Sequence, residues 1–483
     1  MMMFEPKRIH PVGMILSFVN MIKSYIIPAI IFFFVSSNES FNLYIIIGGS
    51  LLILFVVVTS ILEWWKFTYI IEDGQLRIEH GIFVKKKRYI PIERIQTINI
   101  SAGVIQQIFR LVKLQIETAG SGMEAEVSLT AIKKLEADRI QEEISKYKQL
   151  SKLSIGEDEQ EEVLLHQPTY KMTTKDLLVA ASTSSGIGVI ISAVAAFVSQ
   201  FDEFIPYDQI INRFDFLTNA SITLYAILIF IAFFIAWILS IIGVVLKYAY
   251  FTVIKGEEEL KISRGIFEKR QINIPTKRIQ AIQIVQNPLR QLLGYTTIYI
   301  ESAGGNSGDE GLSTILFPVV PKKNVEQLLL EFLPDFKQQS DLHRLPKRSM
   351  IRYCFRKTIP AIIVMIPVAY FLQPWGYVSI ILLPVAAWWG YASYKDAGWN
   401  YHGDQLNIVF RIISKTHVLV NRNRLQSVKS KTTYFQKRVS LETFECTIKS
   451  GLLGRNFTVK DLDQQDVEKI INWYSYEESK KAN

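Results

Sequence analysis

Hydrophobic positions fall along the chain in two ways: long runs without charge, and blocks where apolar and polar residues alternate. A helix crossing a bilayer needs about 20 mostly apolar residues. Residues 43–62 meet that length and end at Glu63-Trp64-Trp65-Lys66, where aromatics suit an interface. Residues 12–35 are uncharged apart from Lys23, which can snorkel. Residues 177–201 and 216–246 are uncharged, and the former holds a small-residue stretch, 180–186, that lets helices approach closely. Residues 358–394 carry no charge and hold Pro374-Trp375-Gly376 near their middle, which predicts two short helices and a tight turn. No cleavage site follows the first run, so it is expected to stay as a helix.

The blocks between these runs repeat. At an offset of 184, 21 of the 54 positions in 67–120 are identical without a gap, including Gly81-Ile82-Phe83 with Gly265-Ile266-Phe267 and Arg94-Ile95-Gln96 with Arg278-Ile279-Gln280. Roughly three identities would arise by chance at average amino-acid usage, so the blocks share one fold. A divergent third copy aligns to the first at an offset of 330, with Arg411 in place of Gly81 and Asn421 in place of Pro91. If Gly81 and Gly265 supply a positive φ, the third copy must turn differently. Within a copy, 75–79 and 114–117 alternate with period two, while Ile95 is out of phase with Ile98 and Ile100. Each copy closes with a helical pattern, at 132–147, 322–332 and 466–474. The expectation is half-buried antiparallel strands forming a small curved sheet or open barrel capped by a terminal helix.

The predicted class is an α+β membrane protein with about six transmembrane helices in three hairpins. The hairpins are expected at 1–65, 175–247 and 358–394, and the β domains at 66–150, 248–335 and 395–483. An acidic linker, 151–174, and a basic linker, 336–357, join them. The acidic run 157–162 reads as a flexible linker, or as an intramolecular partner for basic surfaces.

Charge orients the chain. The connectors 36–40 and 373–376 hold no Lys or Arg, and 200–215 holds four acidic residues and only Arg213. The positive-inside rule then places both termini and all three β domains in the cytoplasm of a multi-pass cell-membrane protein. The formal net charge of +9 fits that bias. Cys354 and Cys446 match no metal or redox spacing and read as reduced thiols, Cys446 serving as a topology reporter if accessible.

A hairpin followed by "G-I-F…I-P…R-I-Q" and "E-[TS]-A-G" resembles the membrane-flanked bacterial PH-like domains. The triple arrangement is similar to the YdbT-like proteins of Gram-positive bacteria. The resemblance implies a PH-like fold of about seven strands in a bent sheet with a capping C-terminal helix, and no established catalytic activity. It also implies a partner: a smaller membrane protein with one PH-like domain. Phosphoinositide binding does not transfer with the fold.

The residues suggest no catalysis. Six scattered histidines form no ligand pair, GxxxxGK[ST] is absent, and Gly304-Gly305-Asn306-Ser307-Gly308 follows a strand without opening a helix. No catalytic, cofactor or metal residue is assigned. The repeated Arg94, Arg278 and Arg424, each two residues before a Gln, read as a structural pair inherited by the repeat rather than an anion contact, because they survive in the divergent copy. The candidate lipid or partner contacts are basic: Lys85, Lys86, Lys87 and Arg88 after Gly81, and Arg422, Arg424, Lys429, Lys431, Lys437 and Arg438 in the third copy. Residues 395–460 hold twelve Lys or Arg against four Asp or Glu. Such residues suit anionic headgroups at about 1 kcal/mol each, or else a solvated face. The six in the third copy are expected to share one face in part. Nucleic acid is not expected, since no reader motif is present. The functional expectation is a non-enzymatic membrane scaffold binding a protein partner, lipid headgroups or both, in envelope maintenance or defence. A transporter or channel component is the alternative; the runs lack the intramembrane charges that mark ion paths. A lipid enzyme would need a polar constellation the sequence does not supply.

Overall fold

A computed structural model describes residues 6–35, 42–118, 127–153, 167–184, 188, 192, 222–303, 313–339, 341–373, 375–450 and 454–475. The connectors 36–40 and 200–215, the acidic run 157–162 and the glycine cluster 304–308 lie outside the described residues.

In the first copy the elements run β1 (Lys7–Arg8), α1 (Val12–Val35), α2 (Asn42–Lys66), β2 (Thr68–Glu72), β3 (Gln75–His80), β4 (Lys86–Pro91), β5 (Ile95–Ala102), α3 (Val104–Ile108), β6 (Leu111–Thr118), β7 (Val127–Lys133) and α4 (Lys134–Leu153). The second repeats the order: β8 (Thr169–Lys171), α5 (Thr174–Ser182), α6 (Ile222–Tyr248), β9 (Thr252–Lys255), β10 (Glu259–Arg264), β11 (Lys269–Pro275), β12 (Ile279–Gln286), α7 (Pro288–Leu293), β13 (Tyr295–Ser302), β14 (Ser313–Pro321) and α8 (Val325–Phe332). The third has β15 (His343–Arg344), α9 (Arg348–Phe371), α10 (Leu382–Asp396), β16 (Gly398–His402), β17 (Gln405–Arg411), β18 (Lys415–Asn421), β19 (Leu425–Lys431), α11 (Tyr434–Lys437), β20 (Leu441–Ile448), β21 (Arg455–Asp463) and α12 (Gln464–Tyr474).

The short strand before each hairpin pairs antiparallel with the strand after it: Lys7 with Tyr69, Tyr170 with Val253, His343 with Trp399. The apolar helices of each copy are thus inserted between the first and second strands of its β domain. Among the described residues, four helices have the length and hydropathy to cross a membrane, over Ile47–Lys66, Ala226–Tyr248, Arg348–Phe371 and Gly376–Asp396. In the third hairpin α9 and α10 touch at Gly390, where a Cβ would lie 2.6 Å from Cys354 Cα; only a missing side chain allows that approach.

The chain forms two compact units, one of residues 1–167 with 256–276, the other of 168–255 with 277–483. In the first unit β1, β2, β3 and β4 form one sheet, and β7, β6, β5, β11 and β10 are hydrogen-bonded in that order. In the second, β14, β13, β12, β18, β17, β16 and β15 form one sheet and β19, β20 and β21 another. In both units the later half-sheet of one copy is therefore continued by the earlier half-sheet of the next.

The alternating strands fill the cores as their pattern predicts. In the first unit Leu76, Ile78, Leu114, Ile116 and Leu129 pack with Ala137, Ile140 and Ile144 of α4. In the second, Leu406, Ile408, Val418, Phe444 and Val459 pack with Val467 and Ile470 of α12. The phase error at Ile95 is a β-bulge: the register with β6 shifts between Ile95 and Thr97, and the same shift falls at Ile279/Ala281 and Leu425/Ser427. Gln96, Gln280 and Gln426 are the extra residues, so the repeated Arg-x-Gln marks a bulge. In the second copy Arg278 Nε donates to the Ala303 carbonyl at 2.7 Å and Gln280 Nε2 to the Arg278 carbonyl at 3.1 Å, in keeping with the structural reading.

Candidate functional site

The basic run 85–88 opens the second strand of the β3–β4 hairpin. The turn depends on Gly81, at φ +114°, where a Cβ would sit 2.1 Å from the Val84 carbonyl oxygen. Gly265 also has positive φ, whereas Arg411 does not and instead ends β17. Thr68 pairs with Glu79, which puts the turn beside the chain leaving α2. There a cavity of about 660 Å³ is lined by Trp65, Lys66, Arg77, Glu79, Gly81, Phe83 and Lys85 among others. Phe83 at the tip is 93% exposed, and Val84 follows it into solvent.

Glu79 gathers the cations. Lys85 Nζ lies 2.5 Å and Lys87 Nζ 3.4 Å from its carboxylate, and Arg77 also bonds to it. Hydrogen bonds from Lys85 and then Arg77 hold its carboxyl down at about 2. The exposed run therefore sits beside a fixed counter-ion, with Lys86 and Arg88 further along the same strand.

The third copy builds the corresponding tip from Ile412 and Ile413, both exposed. Lys357 Nζ and Trp389 Nε1 donate to the Ile412 carbonyl at 3.3 and 3.0 Å, and Arg411 and Lys415 pair with Asp396 at 2.5 and 2.8 Å. The tip is thus held at the domain-side ends of α9 and α10. A second tip follows the next strand. In α11, Tyr434 and Phe435 are exposed, Arg438 lies 4.7 Å over the Tyr434 ring, and Arg352 of α9 donates to the Phe435 carbonyl at 3.1 Å. The first and second copies place Val104, Ile108 and Phe109, and Leu289, Leu292 and Leu293, in the equivalent position, all exposed. Arg290 of α7 reaches Thr183 Oγ1 at 2.9 Å, next to α5, and Ile105 of α3 and Leu16 of α1 both pack against the cluster of Val12, Leu111 and Ala131.

The six basic candidates of the third copy do not share one end of the domain. β19 runs toward α11, so Lys429, Lys431, Lys437 and Arg438 lie on the side of the span ends. Arg422 and Arg424 lie in the turn at the other end of β18. There Arg422 donates to the Ser475 carbonyl at 3.0 Å and lies over the Trp473 ring, a structural link to α12. Lys431 pairs with Glu445 at 2.6 Å.

Two carboxylates of structural weight were missed in the sequence. Asp461, fully buried, accepts from Arg352 Nε at 3.0 Å, Arg356 at 2.5 Å and Gln436 Nε2 at 2.8 Å, tying α9 to β21 and α11. Glu301, within "E-S-A-G", is also fully buried; it accepts from Arg455 at 2.6 Å and Ser450 at 3.0 Å. Burial pushes its carboxyl above the usual range against the pull of Arg455. The motif was visible as a repeat marker, but its partners are about 150 residues away, which no local pattern reveals.

The bacterial PH domain model matches residues 23–148, 193–333 and 359–478, each match running from within a hairpin into the capping helix. The chain belongs to the bacterial PH domain family. It is similar along its whole length to the UPF0699 transmembrane protein YdbT of Bacillus subtilis (strain 168), at 47% identity over 491 residues, covering 99% of this chain and 100% of that protein. No solved structure matches. That relative is named as a transmembrane protein, and here the family's domains alternate with apolar helices long enough to cross a membrane. Among the described residues of this bacterial PH protein, no group of three or more His, Cys, Asp or Glu is placed to hold a metal ion.

Proposed function

We propose that this chain is a non-enzymatic membrane scaffold whose PH-like domains lie on the anionic cytoplasmic leaflet, with both termini on that side. The observation that carries the reading is the pairing of exposed apolar tips with basic residues at the domain-side ends of the spans: Phe83 and Val84 beside 85–88, and Tyr434 and Phe435 beside Lys437 and Arg438. Apolar side chains there gain by entering the interface, and each well-placed Lys or Arg adds about 1 kcal/mol on an anionic surface. The domains are already tethered, so the contact orients them rather than recruiting them.

The test is a spin label at V84C, in a C354S background, on the full chain in nanodiscs. The reading expects high oxygen and low nickel-chelate accessibility, with label mobility reduced in anionic relative to neutral bilayers and restored by salt. A label as open to the chelate as an aqueous loop, in both lipids, refutes it.

A further inference from the structure

The copies are joined by strand pairing, and the same joint is used twice. In the first unit β5 pairs with β11 through Ala102–Lys269, Ser101–Arg270 and Ile100–Gln271. In the second β12 pairs with β18 through Gln286–Lys415, Val285–Thr416 and Ile284–His417. Under the repeat alignment these three pairs are equivalent one by one, so the register of the joint is a property of the repeat. In each joint an uncharged strand, Ile95–Ala102 or Ile279–Gln286, receives a strand that carries Lys or Arg. Two halves of this joint are left over. Among the described residues β4 of the first copy and β19 of the third each stand at the end of the strand order of their sheet.

Carried to those strands, the common register sets Lys429 opposite Arg88 and Lys431 opposite Lys86. Like charges directly opposite destabilise a strand pair, which disfavours a second copy of this chain as the continuation of the array. β19 breaks the rule of its counterparts: where β5 and β12 are uncharged, it carries Lys429 and Lys431.

We propose that β19 is a docking edge for a separate chain, which adds an edge strand in the register of the internal joints and carries carboxylates opposite Lys429 and Lys431. The ladder would supply the affinity, and the two lysines would choose the partner and reject a second copy. This goes beyond the lipid reading and does not depend on it.

The probe is the chain itself with an acidic β4. Full-length K86E/R88E in detergent is expected to sediment as concentration-dependent dimers and larger head-to-tail species, while the wild type stays monomeric. K429E/K431E, which reverses the other edge, should assemble in the same way, and the quadruple variant should return to the monomer. In a C354S background, S430C on one chain should form a disulfide with K87C on a K86E/R88E chain, and Y89C should not. Monomeric behaviour of both folded charge-reversed pairs would overturn the proposal and leave β19 a strand merely sealed by lysines. Wild-type chains that cross-link between S430C and K87C would overturn it too, by making a second copy the occupant.

Discussion

Removing the charge of Asp461 tests how the third domain is fastened to its membrane hairpin. Asp461 sits at φ +56°, a conformation that Asn shares with Asp at little cost, so D461N keeps the backbone and removes only the charge. Its carboxylate is fully buried while Arg352 and Arg356 retain 26% and 35% side-chain exposure. The full cost of breaking a buried ion pair, about 3–5 kcal/mol, is therefore an upper bound. Water reaches both guanidiniums, so a loss of about 2 kcal/mol is expected, mainly from mispaired hydrogen bonds at the carboxamide. At about 2–4 °C per kcal/mol for a unit this large, unfolding in detergent should move down by about 4–8 °C. Limited proteolysis should open 434–439 earlier, because Gln436 and Arg352 hold α11 through this carboxylate. D461G, which also suits positive φ, should behave similarly. A D461N melting temperature within a degree of wild type, with α11 equally protected, would refute the view that this carboxylate fastens α9 to the domain.

G81A should lower stability by more than about 1 kcal/mol, because its Cβ would meet the Val84 carbonyl; urea unfolding indistinguishable from wild type would count against that turn geometry. Glu79 is held low, near 2, in the folded chain, so its contribution should be fully present above its ordinary value of 4.5 and decline as pH falls toward 2. Hydrogen exchange of the β3–β4 hairpin in wild type and E79Q, converging below that window, would check it. Cys446 is fully buried and its thiol is pushed up to about 12, so it should resist thiol reagents in cells whether sealed or permeabilised. It cannot serve as the topology reporter that the sequence suggested. N423C, in the exposed turn after β18 in a C354S background, replaces it and should label only after permeabilisation; labelling in sealed cells would invert the proposed orientation.

The repeat, the strands and the capping helices were legible because each is written in local period: Leu76 and Ile78 in one strand, Ile140 and Ile144 in one helix. The glycine turns were legible because a positive φ leaves few residue choices. The tips could be located but not judged, since exposed Phe83 and a core phenylalanine look alike in sequence. The six basic residues of the third copy were read as partly one face because they are near in sequence. A strand of seven residues separates its ends by about 20 Å, and β18 and β19 carry Arg422 and Lys431 to opposite ends of the domain. Asp461 drew no attention and Glu301 was seen only as a repeat marker, since their partners come from helices and strands far along the chain.

The insertion of the apolar helices of each copy between the first and second strands bears on how the array can work. A domain joined to a helix at one end can pivot, whereas one entered and left by the membrane at adjacent strands is held along an edge. His343–Trp399 pairing beside α9 and α10, with Asp396 and Asp461 clamping Arg411, Lys415, Arg352 and Arg356, gives the third domain several attachments to one hairpin. Such a domain can turn its tips only one way. The joints between copies add a fixed register to that fixed face, so strand β19, at the end of its sheet, also keeps one bearing relative to its own hairpin. A partner strand arriving from a chain in the same membrane would need no search over orientation. In that setting two lysines would be enough to decide which strand is accepted, since the spans would already have met the cost of ordering the edge.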